Sequence, residues 1–294
     1  VNVPLLLTLA IAASSAAPAP SPERVAAVRL ALDAGLEAHA AGAERATWAA
    51  GQLRGMPYGE SPLGEGQGRD PDPRFRLDRF DCTSLVETAL ALGAARSVAE
   101  ATPLLDGIRY AAAPGFETRN HYVEAQWLPD LAAEGWIADV TAAVGGDATT
   151  VVTVRHGRAD WRDEARRGKL VAGLDPDRMP DGESPLPLVP LGQVMAVAPQ
   201  IPSGTIVLVA REERKGRPSL VVHMGIVVVD GRGERVVRHA SRDLGRVVDE
   251  RLERFVARYE RQQRWPVQGF SFWAILSGPG PDPLPHGTRE APGP

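Results

Sequence analysis

The chain is poor in cysteine, lysine and aromatic residues. Cys82 is the one cysteine in 294 residues. A lone thiol makes no intrachain disulfide and builds no cysteine-rich zinc site. Cys82 is therefore either a small buried apolar residue or a reactive thiol. Lys169 and Lys215 are the only lysines and the net charge is −4, so the basic face expected of a nucleic-acid binder is missing. Past the first twenty residues no apolar run is long enough to span a bilayer. The remaining composition, 44% hydrophobic and 24% charged, describes a globular protein with ample chain for a core.

The two ends read differently from the middle. Residues 1–20 hold the short apolar run Leu5–Ala13 followed by small residues with A-x-A-like sites. This is the anatomy of a secretory signal peptide, although no Lys or Arg precedes the run. No cysteine follows it for lipid attachment. The expectation is an exported protein, periplasmic or secreted, with no membrane anchor. Residues 277–294 (SGPGPDPLPHGTREAPGP) are expected to form a disordered tail, with His286 irrelevant to chemistry.

Residues 21–276 are expected to form a single α+β domain, helical first and an antiparallel sheet second. Helical spacing of Val25, Val28, Leu32 and Leu36 predicts a helical region over 23–51, broken near Gly42. Proline and glycine mark 55–80 as loop. A helix is expected over 81–92, capped by Asp81 and signalled by Ser84-x-x-Glu87. A polar cluster follows at 107–127, then a short helix within 130–139 and a strand at 149–154. Residues 175–202 read as a proline-rich loop, overlapping an insertion at 141–200. Strands are expected at 205–210, 221–229, 236–241, 246–248 and 269–276, with a helix over 249–259.

The stretch RFDCTSLVETAL places Cys82 where an apolar helix begins. There a thiol meets unpaired backbone N–H groups and the positive end of the helix dipole, which favour a thiolate. A nucleophilic cysteine needs a histidine partner oriented by a third group. His39 lies in the alanine-rich helix, and His156 follows a strand at an expected surface position. His121 sits in the polar cluster. His223 lies inside the apolar strand VVHMGIVVV, where an imidazole is costly without a partner. His239 lies on the next strand, VVRHAS, and is a possible cross-strand partner. Zinc is the rival use of these histidines, but no H-E-x-x-H is present and zinc leaves Cys82 unexplained. No metal and no cofactor are expected.

These residues resemble a known arrangement. FDCTSLV, VVHMGIVVVDGRGERVVRHAS and the upstream GMPYG look like the signatures of the NlpC-type, papain-like cysteine peptidases of the bacterial cell wall. Within that superfamily, residues 53–276 are similar to the N-acetylmuramoyl-L-alanine amidase-like family, long filed as a domain of unknown function. LGEG, DPDPRFRLDRFDCTSLVE, IRY, TRNHY and IPSGTIVLV carry the likeness. Ser84 departs from the family's frequent threonine, and 141–200 has no clear counterpart.

The resemblance implies a papain-like NlpC-type fold with the nucleophile at a helix N-terminus. It implies Cys82 as nucleophile, His223 as general base and His239 as the orienting residue, with Tyr58 reaching toward the oxyanion. Asp81, Arg119, Asn120, His121 and Tyr122 are the candidate substrate contacts, arginine being suited to carboxylates. The implied function is cysteine-dependent cleavage of the amide between N-acetylmuramic acid, in its anhydro form in small muropeptides, and L-alanine. A γ-D-glutamyl–diamino-acid endopeptidase uses the same catalytic residues, as does acyl transfer to an acceptor other than water. A non-catalytic muropeptide-binding protein is the alternative of another class. The expected partner is a muropeptide or peptidoglycan fragment, with no nucleic acid, and the protein is expected to be a monomer.

Overall fold

In the computed structural model, which describes residues 19–157, 159, 162, 174–175, 179–213 and 219–279, the chain begins with two helices. The expected signal segment and nearly all of the expected tail lie outside the described residues. Helix α1 (Pro22–Gly35) is capped by Ser21, whose hydroxyl accepts from the Arg24 N–H. The chain breaks before α2 (Ala43–Gln52), at Gly42 with φ of 89°. Helix α3 (Cys82–Ala94) and helix α4 (Val98–Arg109) follow the long loop. Helix α5 (Leu128–Ala133) ends near Gly135 as expected, where φ of 75° turns the chain into strand β1 (Ile137–Asp139).

The expected start signal of α3 is half right. Asp81 caps it: its carboxylate accepts from the Ser84 N–H at 2.7 Å while the Ser84 hydroxyl accepts from the Asp81 N–H at 2.9 Å. The reciprocal box therefore joins Asp81 to Ser84. Glu87, expected to belong to the start signal, is buried a turn further on and pairs with Arg109 of α4 at 2.6 Å.

Seven further strands complete one sheet: β2 (Thr150–His156), β3 (Gly182–Pro190), β4 (Thr205–Arg211), β5 (Val221–Val229), β6 (Arg235–Ser241), β7 (Arg246–Arg251) and β8 (Val267–Ile275). Short helices α6 (Thr141–Gly145) and α7 (Val194–Val197) and the longer α8 (Leu252–Glu260) lie between them. The strand order is β2-β3-β8-β4-β5-β6-β7, with β1 also on β8, and each pairing is antiparallel. The expected loop at 175–202 is corrected by β3 and α7. In SPLPLVP the prolines hide an alternation: Leu186 and Leu188 are buried, with Pro185 before them and Pro187 between them. Proline is tolerated there because β3 pairs with β8 only at Val189 and Pro190, leaving most of its other edge unpaired.

The sheet is covered on both faces, so central strands lose their polar positions. In β4 every residue is buried. Ile206, Leu208 and Ala210 belong to the same apolar cluster as Leu85 and Ala89 of α3, while Val207 and Val209 belong to that of Phe255 and Val256 of α8. In β5, Met224 and Ile226 belong to the α3 side and Val227 to the α8 side.

Candidate active site

Cys82 is the first residue of α3, so its N–H has no acceptor within the helix. The backbone N–H of Met224, the residue after His223, donates toward its sulfur, and Thr83 adds weaker contacts. This meeting occurs where the β5–β6 ladder opens. Strand pairing runs from Val229–Arg235 to Ile226–Arg238 and stops, leaving residues 221–225 without a β6 partner. The nucleophile's helix thus reaches the strand that carries His223.

The electrostatics differ from expectation. Burial pushes the Cys82 thiol up to about 12, and the adjacent Asp81 carboxylate raises it further. The Met224 and Thr83 hydrogen bonds pull the other way and do not compensate. Burial likewise holds His223 well below its usual value, helped by His239 and Arg258. The resting pair is a neutral thiol and a neutral imidazole, because a desolvated site disfavours both charges.

His223 and His239 are brought together as expected. His223 Nε2 lies 2.8 Å from His239 Nδ1, with the rings edge to face at 4.9 Å. Phe255 of α8 covers both, its centroid 5.9 Å from His223 and 5.1 Å from His239. Gly225 permits this approach. A Cβ there would lie 2.8 Å from Val237 Cγ1, 2.9 Å from the Arg238 carbonyl oxygen and 3.0 Å from His239 Cβ.

Sequence reasoning missed the next member. Glu250 Oε2 lies 3.2 Å from His239 Nε2 and 2.5 Å from Arg258 Nη2. The expectation of a helix from 249 hid it. In the structure β7 continues to Arg251, so Glu250 faces Val237 across the ladder and sits diagonally beside His239. Asp249 stays in the strand because it pairs with Arg238, at 2.7 and 2.8 Å. Burial raises the Glu250 carboxyl, but the hydrogen bonds from His239 and Arg258 outweigh it and leave the group below its ordinary value. Tyr259, also on α8, was not foreseen either. It is buried, it makes no hydrogen bond through its hydroxyl among the described residues, and burial raises it, with Arg258 opposing and Cys82 adding to the rise.

Tyr58 lies at the nucleophile. Phe80 N–H donates to the Pro57 carbonyl at 3.0 Å and Gly59 N–H to that of Phe80 at 3.0 Å, stitching the Tyr58 loop to the residues before Cys82. Burial pushes its hydroxyl up to about 12, with the Cys82 thiol the next cause. Asp81, expected to contact substrate, has both carboxylate oxygens engaged: Oδ1 by the Ser84 N–H and Oδ2 by the Ser61 N–H at 3.1 Å. The structure assigns it to holding the helix start and the preceding loop.

In the RNHY cluster the side chains of Arg119 and His121 have partners within the fold. Arg119 pairs with Glu65 and with Asp70, the latter at 2.7 Å. Asn120 N–H donates to the Arg109 carbonyl at 2.8 Å. His121 Nε2 meets the Phe116 carbonyl at 2.8 Å, and burial holds its imidazole down at about 4. Tyr122 is buried against Leu174. His39 stacks on Trp48 at 4.6 Å, and His156, expected at the surface, is the buried last residue of β2. Among the described residues no group of three His, Cys, Asp or Glu is arranged to hold a metal, and no helix is long and apolar enough to cross a membrane.

Comparison with known proteins agrees with this architecture. No curated protein matches the sequence. A Legionella pneumophila protein assigned to the family DUF1460 is 20% identical, with 88% of this chain and 96% of that chain covered at a TM-score of 0.75. An N-acetylmuramoyl-L-alanine amidase from Bacteroides uniformis is 21% identical, with 77% and 97% covered at 0.61. A Bacteroides fragilis protein provisionally named a xylanase gives 21%, 77% and 98% at 0.60. At these identities the likeness concerns the fold. The family described as N-acetylmuramoyl-L-alanine amidase-like matches residues 49–261, most of the chain, and the protein belongs to it.

Proposed function

We propose that the protein is a cysteine-dependent amidase that cleaves the bond between N-acetylmuramic acid and L-alanine in muropeptides. Family membership supports a peptidoglycan hydrolase. The observation that carries the cysteine mechanism is the meeting of Cys82 with the β5 strand at Met224, beside a His223 that is hydrogen-bonded to His239 at 2.8 Å. The order of nucleophile helix, base strand and orienting strand along the chain supports reading it as a papain-like enzyme of the NlpC type.

The resting neutrality of both groups sets the course of the reaction. His223 takes the thiol proton as sulfur attacks the lactyl carbonyl, so the ion pair forms during attack. The carbonyl oxygen gains charge and is held by the Cys82 N–H and the Tyr58 hydroxyl. Collapse breaks the C–N bond. The leaving alanine nitrogen takes the proton from His223, and a muramoyl thioester remains. His223 then removes a proton from water, whose oxygen attacks the thioester, and the proton returns to the sulfur. The enzyme acts outside the cytoplasm, where its polymer lies, and takes the anhydro form of the sugar in small fragments.

The test is incubation of the protein and Cys82→Ala with a defined anhydromuropeptide in the presence of a chelator, with products weighed by mass spectrometry. Free peptide plus sugar from the wild type alone is the expected result. A sugar still bearing its first two residues would make the enzyme an endopeptidase, and intact substrate that stays bound to both proteins would make it a binding protein.

A further inference from the structure

We propose that Glu250 is a positioning residue that fixes the tautomers of both histidines and so decides which nitrogen of His223 receives the thiol proton. The inference rests on the proposed role of His223 as base. Its observation is the unbroken chain from His223 Nε2 to His239 Nδ1 at 2.8 Å and from His239 Nε2 to Glu250 Oε2 at 3.2 Å.

The direction of this chain follows from what its last member can do. An ionised carboxylate only accepts hydrogen bonds. Arg258, whose Nη2 also meets Oε2 at 2.5 Å, only donates and so keeps the carboxylate an acceptor. His239 must therefore carry its proton on Nε2. In a neutral ring that leaves Nδ1 bare, and Nδ1 must accept from His223. His223 must then carry its own proton on Nε2, leaving Nδ1 bare. That is the nitrogen free to take a proton from Cys82. Without the carboxylate the two rings can pass their hydrogen bond in either direction, and half of those arrangements protonate the nitrogen that the reaction needs.

The other charged groups around this chain do not undo the assignment. From α8 come Arg258 and Tyr259, from the turn after β6 comes Asp243, which meets Arg258 at 3.4 Å, and from α3 comes Cys82. Among the described residues none of them hydrogen-bonds to either imidazole. Phe255, which covers both rings, offers no competing polar atom.

Nitrogen NMR of the histidine rings in the full chain, assigned with single His223→Gln and His239→Gln variants, reads the tautomers directly. Protonation on Nε2 in both rings is expected. Glu250→Gln, which replaces the obligate acceptor by a group that also donates, is expected to mix the tautomers. On the muropeptide substrate it should lower kcat about 10- to 100-fold with KM unchanged, the range found for carboxylates that orient metal-bound imidazoles. Wild-type His223 protonated on Nδ1 would overturn the proposal, whether or not the variant folds. So would a Glu250→Gln protein whose tautomers match the wild type, whatever its kcat. If the wild type cleaves no muropeptide, the functional reading fails while the spectra still decide the tautomers.

Discussion

At Cys82 two effects oppose each other. The helix start favours a thiolate and the burial of the sulfur disfavours it, and burial prevails. Alkylation of the free enzyme by iodoacetamide should therefore rise about tenfold per pH unit and show no plateau below pH 10, as follows for a thiol held at about 12. A plateau near neutrality would indicate a resting thiolate instead. Because His223 is held well below its ordinary value, the acid limb of kcat/KM should fall below the usual histidine range. His121 gives a stability effect. Its imidazole is at about 4 when folded, against 6.5 for the ordinary value, so the unfolded chain binds more protons between these limits. The stabilisation is complete above 6.5 and lost as pH falls toward 4, and urea titrations of His121→Gln should show a flatter pH dependence there. The rare residue types made Cys82, His223 and His239 legible. Glu250 was not, because it is one of 37 acidic residues and its partner is chosen by strand pairing.

At the scale of elements, α3 and the β5–β6 pair position the chemistry. Asp81→Ala removes the cap of α3 and its hold on Ser61, and should cost about 0.5–2 kcal/mol in chemical denaturation. Asp81→Asn, which keeps an oxygen for the Ser84 N–H, should recover most of that loss. Gly225→Ala forces a Cβ into the Arg238 carbonyl and His239 Cβ, so the strands must separate. The expected outcome is a folded protein with reduced kcat and an altered His223–His239 hydrogen bond in the ring spectra. Alternation and capping made α3 and the central strands readable in the sequence. β3 was not readable, because its prolines mimic loop chemistry and only the unpaired edge beside it makes them acceptable.

For the whole molecule, the Glu87–Arg109 pair ties α3 to α4 in the core, and both side chains are nearly inaccessible. Removing one partner strands a buried charge. Glu87→Ala should destabilise by about 3–5 kcal/mol, whereas Glu87→Met with Arg109→Leu should lose much less, as a double-mutant cycle by thermal and urea unfolding will show. The same network, through the Arg109 contact with the Leu63 carbonyl and the Tyr110 contact with that of Gly64, anchors the loop that the sequence showed only as glycine and proline. The α+β class was legible from the order of patterns. The two-sided cover of the sheet was not, since a strand buried on both faces and a buried helix segment share one apolar run.

The opening of the β5–β6 ladder has a consequence for how this protein can change. The histidines lie under Phe255 on one face of the sheet, while α3 packs on the other. A one-residue slip of β5 against its neighbours would carry His223 to the opposite face with most hydrogen bonds intact. The hairpin from Asp230 to Glu234 is therefore a length gauge: an inserted residue that shifts β5 by one position would part His223 from His239, bury it without its partner and abolish the chemistry.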